Sequence, residues 1–79
     1  MKDLKDLLEY IAKALVDEPT KVEVNEVGEG RSVILQLKVA EDDIGKVIGK
    51  KGRIANALRV IIKAVATKEG KVAIVQIID

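Results

Sequence analysis

The chain has 79 residues, of which 48% are hydrophobic and 34% are charged, and its formal net charge is +1. This length predicts one small domain over residues 1–79, and the balance of apolar and charged residues excludes a disordered chain. The lack of cysteine excludes disulfides and thiolate zinc sites. No run approaches the roughly 20 apolar residues of a membrane span. We therefore expect a folded, cytoplasmic protein with no membrane anchor.

The first half of the chain predicts a helix followed by a β-hairpin. Apolar residues recur at helical spacing from position 4 to position 15, which indicates an amphipathic helix over residues 2–16. Asp3 and Asp6 favour its start and Pro19 favours its end. Apolar and polar residues then alternate over 22–25 and over 33–39, on either side of Gly28-Glu29-Gly30, which is the pattern of a hairpin.

The second half predicts two helices, a turn between them and a last strand. Glu41-Asp42-Asp43 supplies capping and first-turn acids for a short helix that runs through Ile48. A longer helix is predicted from Arg53 to about Thr67. Its buried stripe is Ile54, Leu58, Ile61, Ile62 and Val65, and its opposite face carries Asn56, Arg59, Lys63 and Thr67. Residues 71–78 are nearly all apolar, which predicts a strand buried on both faces or covered by a partner.

The turn between these helices, Gly49-Lys50-Lys51-Gly52, is called the GKKG turn below. Glycine can adopt positive φ and has no Cβ, so paired glycines let the main chain bend sharply and approach a ligand closely. The lysines add positive charge beside the start of a helix, which itself favours anions. A nucleotide-triphosphatase loop is excluded because its spacing and its Ser or Thr after the lysine are missing. The pattern instead matches a Gly-x-x-Gly loop that clamps a nucleic-acid backbone.

Acidic and basic residues are concentrated in different parts of the chain. Residues 1–44 contain six basic and eleven acidic residues, a net of −5, whereas residues 45–63 contain six basic residues and no acid, a net of +6. Positive charge is thus concentrated around the GKKG turn, where it would steer a polyanion toward the turn.

The run Val47-Ile48-Gly49-Lys50-Lys51-Gly52-Arg53 closely resembles the signature of KH domains. The element order resembles a type II KH domain, which implies an α+β fold of order αββααβ, with a three-stranded mixed sheet covered on one face by three helices. The short chain resembles the KhpA family of bacterial single-KH RNA-binding proteins. Ala55 replaces the large aliphatic residue of the general KH pattern but matches this family. The resemblance implies a cytoplasmic RNA chaperone-like or regulatory role, with a homodimer or a heterodimer with a KhpB (Jag)-type KH protein.

We expect single-stranded RNA to lie with its backbone against the GKKG turn and its bases over an apolar groove. The predicted RNA-binding residues are Lys46, Ile48, Gly49, Lys50, Lys51, Gly52, Arg53, Ala55 and Arg59. The predicted walls of this groove are Ile48, Ala55 and part of the last strand near Val72 and Ile74. With one aromatic residue in the chain, base selectivity would come from groove shape and hydrogen bonds to base edges.

The alternative function is a protein-interaction or dimerisation module that docks on a ribosome or a partner and touches no RNA. The apolar last strand and the acidic first half favour that interpretation. An enzyme is not expected, because the chain has no His or Cys and its one serine, Ser32, has no neighbouring base. We expect no cofactor and no metal.

Overall fold

The fold is α+β, and the computed structural model describes residues 3–78. Its elements in chain order are helix α1 (Leu4–Leu15), a 3-10 turn (Pro19–Lys21), strands β1 (Glu23–Glu29) and β2 (Ser32–Lys38), helix α2 (Glu41–Lys68) and strand β3 (Val72–Ile78). The sheet has the order β1-β2-β3. Strand β1 is antiparallel to β2, and β3 is parallel to β2. The prediction of a three-stranded mixed sheet is therefore confirmed.

Helix α1 packs one apolar face on the rest of the domain. Asp3 caps its first turn, since its Oδ1 accepts a hydrogen bond from the backbone N–H of Asp6 at 2.9 Å. Leu4, Leu8 and Ala12 are buried along the same face. The helix agrees with the predicted segment, whose first residue, Lys2, lies outside the described residues.

The sheet buries one face and leaves the other in solvent. The side chains of β2 alternate, so that Val33, Leu35 and Leu37 lie in the core. The hairpin turn falls on Gly30 and Arg31, and Gly28 lies within β1 with a φ of 153°. A Cβ at Gly28 would collide with the carbonyl oxygen of Ser32, so this position requires glycine inside the strand.

Strand β3 is not buried on both faces within one chain. Val75 lies in the core, but Val72 and Ile74 are more than half exposed. Both helices pack on the face of the sheet that carries Val75, so within residues 3–78 no helix covers the opposite face of β3. An apolar strand at the edge of the sheet is thus open to solvent on its outer face.

The helix count also differs from the prediction. Residues 3–78 contain two α-helices, and the segments predicted as two separate helices form one element, α2, from Glu41 to Lys68. Its backbone leaves helical geometry only at residues 49–52. The GKKG turn thus divides α2 into two helical segments, which correspond to the two predicted helices; counted as one element, they make two α-helices instead of the predicted three.

The start of α2 is held by a contact that sequence patterns did not reveal. The N-cap residue is Ala40, which has no side-chain capping bond. Asp43, predicted as a capping or first-turn acid, is 1% exposed. Its two carboxylate oxygens accept hydrogen bonds from the backbone N–H groups of Asp17 and Glu18, each at 3.0 Å. This carboxylate ties the start of α2 to the segment that follows α1.

Candidate nucleic-acid interface

The GKKG turn bends the backbone by an unusual series of dihedral angles. Gly49 is extended, with φ −62° and ψ 173°. Lys50, Lys51 and Gly52 are all left-handed, with φ of 52°, 63° and 71°. A non-glycine residue in this region costs about 1–2 kcal/mol. Two successive lysines therefore hold a conformation that they rarely adopt, and such strain is concentrated at functional sites.

The outer surface of the turn is free of side-chain bulk at both glycines. A Cβ at Gly49 would meet nothing within 4 Å, and one at Gly52 would meet only the side chain of Asn56, at 3.7 Å. Gly49 also has dihedral angles that any residue adopts. Neither its conformation nor its contacts within residues 3–78 therefore require a glycine there, which leaves close approach by a ligand as a reason for one.

The positive charges on the turn are available to an anion. Lys50, Lys51 and Arg53 are exposed. The ion pairs found within residues 3–78 involve Lys13, Lys38, Lys46 and Lys71, and none of them uses a basic residue at positions 50, 51 or 53. The helix resumes after Gly52, and the first N–H groups of a helix lack intrahelical partners. Three cationic side chains and a helix start thus lie together at this bend.

The other predicted site residues fall into different environments. Ile48 precedes the turn and is 47% exposed, so it offers apolar surface beside the lysines. Lys46 lies one turn earlier, and its Nζ is 3.1 Å from Oδ1 of Asp17. That exposed pair is weak, so Lys46 still contributes to the local field. Ala55 is only 3% exposed and belongs to the core, so its predicted place in the groove wall is corrected.

Arg59 extends the site from the turn to the edge of the sheet. Its Nε donates to the carbonyl oxygen of Val75 at 3.3 Å, and its Nη1 donates to Oδ1 of Asn56 at 3.3 Å. The Nδ2 of Asn56 donates in turn to the carbonyl oxygen of Lys51 at 3.5 Å. A chain of hydrogen bonds therefore links the turn, the guanidinium group and the free edge of β3.

The same face of α2 continues into an open cavity of about 300 Å³ next to β3. Its lining residues are Lys63, Thr67, Lys71, Val72, Ala73 and Ile74. Asn56, Arg59, Lys63 and Thr67 are three or four residues apart, so they lie on one helical face. The spacing of these polar residues could be seen in the sequence. The sequence did not show that this helical face lies beside β3, because residue spacing does not indicate which strand a helix packs against.

A second exposed surface of α2 is apolar and is separate from this site. It consists of Ala57, Val60, Ile61 and Ala64, called the apolar stripe below. Ile61 was predicted in the buried stripe, but it is 41% exposed, whereas the adjacent Ile62 is fully buried. The prediction was wrong because the apolar residues of this helix cover a wider arc than the core can take.

The part of the chain that the structure describes has no helix able to cross a membrane.

Comparisons with known proteins identify relatives that match nearly the whole chain. The family model described as KhpA/KhpB, KH domain, matches residues 5–77. RNA-binding protein KhpA of Clostridium acetobutylicum is 60% identical over 75 residues, which is 95% of this chain and 100% of the relative. RNA-binding protein KhpA of Clostridium perfringens is 57% identical over 75 residues, with the same coverage. RNA-binding protein KhpA of Aquifex aeolicus is 46% identical over 79 residues, the full length of both chains.

One solved structure is also similar in fold. It is the crystal structure of an Era variant of Aquifex aeolicus bound to GDP and AlF4⁻, with a TM-score of 0.62 and 19% sequence identity. The match covers 94% of this chain and 29% of the Era chain. At this identity the likeness shows the fold alone.

Proposed function

This chain belongs to the KhpA/KhpB KH-domain family, and on that premise we propose that it binds single-stranded RNA through the GKKG turn. Several relatives bear the name RNA-binding protein. The observation that carries the proposal is Gly49, a glycine that neither its dihedral angles nor its contacts require, at a bend whose cationic side chains form no ion pair with the rest of residues 3–78. A sugar-phosphate backbone can lie directly on such a bend.

In the proposed complex, each part of the site has a separate role. Lys50, Lys51 and Arg53 contact phosphates, and Lys46 adds longer-range attraction. Ile48 supplies apolar surface beside the turn, and the exposed side chains of β3 border the groove. Phosphate contacts position the strand without reading its sequence. The chain therefore acts as a binding protein in an RNA chaperone-like or post-transcriptional role in the cytoplasm, and it needs no catalytic group.

Replacing Gly49 with alanine tests the proposed close approach. We expect Gly49→Ala to weaken binding of a single-stranded RNA pentamer at least about tenfold, equivalent to about 1.4 kcal/mol, because the added methyl lies between the turn and the phosphate backbone. Its stability should be unchanged or raised by about 0.5 kcal/mol, because alanine adopts the extended conformation of Gly49 without strain. Fluorescence anisotropy measures the affinity, and urea denaturation measures the free energy of unfolding.

Gly45→Ala is the matched control. Gly45 lies on the same helix, and a Cβ there also meets nothing within 4 Å. We expect this variant to be more stable by about 1 kcal/mol, since alanine favours a helix interior, and to bind RNA as the unmodified chain does. The turn would be removed from the proposed mechanism if the unmodified chain and both variants bound RNA with equal affinity. The same would follow if both variants lost RNA affinity to an equal extent.

The apolar stripe favours a second proposed activity, association with another KH domain. Four exposed apolar residues at helical spacing give α2 a face that another helix can cover. A second copy or a KhpB (Jag)-type protein would fit this face and present two RNA sites together. Two linked sites raise the overall affinity through effective concentration.

If the chain is instead only a protein-docking module, crosslinking in cells recovers protein partners and no RNA.

A further inference from the structure

We propose that Arg59 reads one base of the bound RNA and selects guanine or cytosine over adenine or uracil. This inference rests on the proposed function, and it concerns base selectivity, which the phosphate-binding turn cannot supply. The proposed reader is a guanidinium group held beside the turn by the hydrogen bonds of Asn56 and Val75.

The guanidinium group is fixed in place before any RNA arrives. Nε of Arg59 is committed to the carbonyl oxygen of Val75, and one N–H of Nη1 is committed to Oδ1 of Asn56. A freely rotating arginine would lose considerable side-chain entropy on binding, whereas this one has already lost much of it on folding. Its orientation is therefore set by the protein and not by the ligand.

Three N–H donors of Arg59 remain for a ligand. A guanidinium group carries five N–H donors in a planar fork, and two of them are used within the protein. The remaining three comprise one on Nη1 and two on Nη2. A parallel pair of such donors matches two neighbouring acceptors on a base edge. The geometry thus favours a base that presents two acceptors side by side.

Guanine and cytosine are the bases that meet this requirement. Guanine presents O6 and N7, the acceptor pair that arginine contacts most often in nucleic acids. Cytosine presents O2 and N3 on its Watson–Crick edge. On the corresponding edges of adenine, the N6 amino donor lies next to a single acceptor. In uracil, the N3 donor lies between the two carbonyl oxygens. Against either of those bases, one arginine donor would face another donor.

The position of Arg59 suits a base whose phosphate lies on the turn. Asn56 bonds both the carbonyl oxygen of Lys51 and the guanidinium group, so the distance between turn and reader is fixed by one side chain. Arg59 also lies seven residues beyond Gly52, about 10 Å along the helix axis. Strand β3 lies at the edge of the sheet, and the carbonyl oxygen of Val75 accepts its hydrogen bond from Arg59 there.

The test compares four RNA pentamers that differ only at the central base. The background is uridine, and the central position is U, A, G or C. We expect the G and C pentamers to bind about tenfold more tightly than the A and U pentamers. Arg59→Lys keeps the charge but lacks the planar fork, so it should bind all four pentamers with equal affinity, close to that of the unmodified chain for the U pentamer.

Lys63→Gln is the control on the same face of α2. Lys63 lines the cavity one turn beyond Arg59, where it would meet phosphates. This variant should weaken binding of all four pentamers by the same factor and keep the preference for G and C. A preference that survives Arg59→Lys, or binding without any preference in the unmodified chain, overturns the inference while leaving the proposed function intact. Failure of all four pentamers to bind overturns both.

Discussion

Reversing both charges of the turn, with Lys50→Asp and Lys51→Asp together, is expected to weaken RNA binding more than 100-fold. Two phosphate contacts are lost, and two carboxylates then face the phosphate backbone at the point of closest approach. The fold should persist, because aspartate tolerates left-handed dihedral angles better than most residues and neither lysine forms an ion pair in residues 3–78. Anisotropy with a labelled single-stranded RNA measures the loss, and circular dichroism checks the fold.

The salt dependence of binding gives the same prediction a second, quantitative form. For single strands, log K falls with log salt at about −0.7 per phosphate contacted, so two to four contacts give a slope of roughly −1.5 to −3. The double variant should lose about 1.4 of that slope. Lys21→Asp with Lys38→Asp makes the same change in net charge at exposed positions away from the turn. If this control loses as much affinity, or if the turn variant loses none, the turn does not bind the RNA backbone.

Removing the buried carboxylate, with Asp43→Ala, is expected to lower the free energy of unfolding by about 2–4 kcal/mol. Both carboxylate oxygens accept hydrogen bonds from backbone N–H groups in the segment between α1 and the 3-10 turn. Without the carboxylate, these N–H groups would lack partners. The whole stability expected for a domain of this size is about 4–12 kcal/mol, so the loss is a large fraction of it. Urea denaturation followed by circular dichroism measures the change.

Asp42→Ala is the matched control for this prediction. Asp42 is the preceding residue in the same acidic run, but its side chain is exposed. Its replacement should change the free energy of unfolding by no more than about 0.5 kcal/mol. Similar values for the two variants would mean that the hydrogen bonds to Asp17 and Glu18 do not stabilise the fold.

These residues show how far the sequence determines the fold. The apolar periodicity of α1 and the alternation in β2 depend only on local spacing, so both elements were predictable. The GKKG turn was predictable for the same reason, since two glycines around two lysines interrupt a helical pattern. Family membership, inferred from that run of residues, is confirmed by the match over residues 5–77.

The features that the sequence did not reveal depend on how segments distant in the chain pack together. Asp43 belongs to an acidic run that is typical of a helix start, and its partners lie 25 and 26 residues earlier. Ala55 and Ile61 were assigned to the wrong surfaces because helical spacing gives a face but not the width of the core beneath it. The hydrogen bonds of Arg59 likewise depend on where the edge of β3 lies.

The most direct test of the central claim is a titration of the isotopically labelled chain with a single-stranded RNA pentamer, followed by amide resonances in NMR. RNA lying on the GKKG turn predicts that the largest changes occur at residues 49–53 and continue to Arg59 and Val75, while Glu26 and Val27 in β1, at the opposite edge of the sheet, stay unchanged. Changes confined to the apolar stripe, with the amides of residues 49–52 unaffected, would contradict the claim.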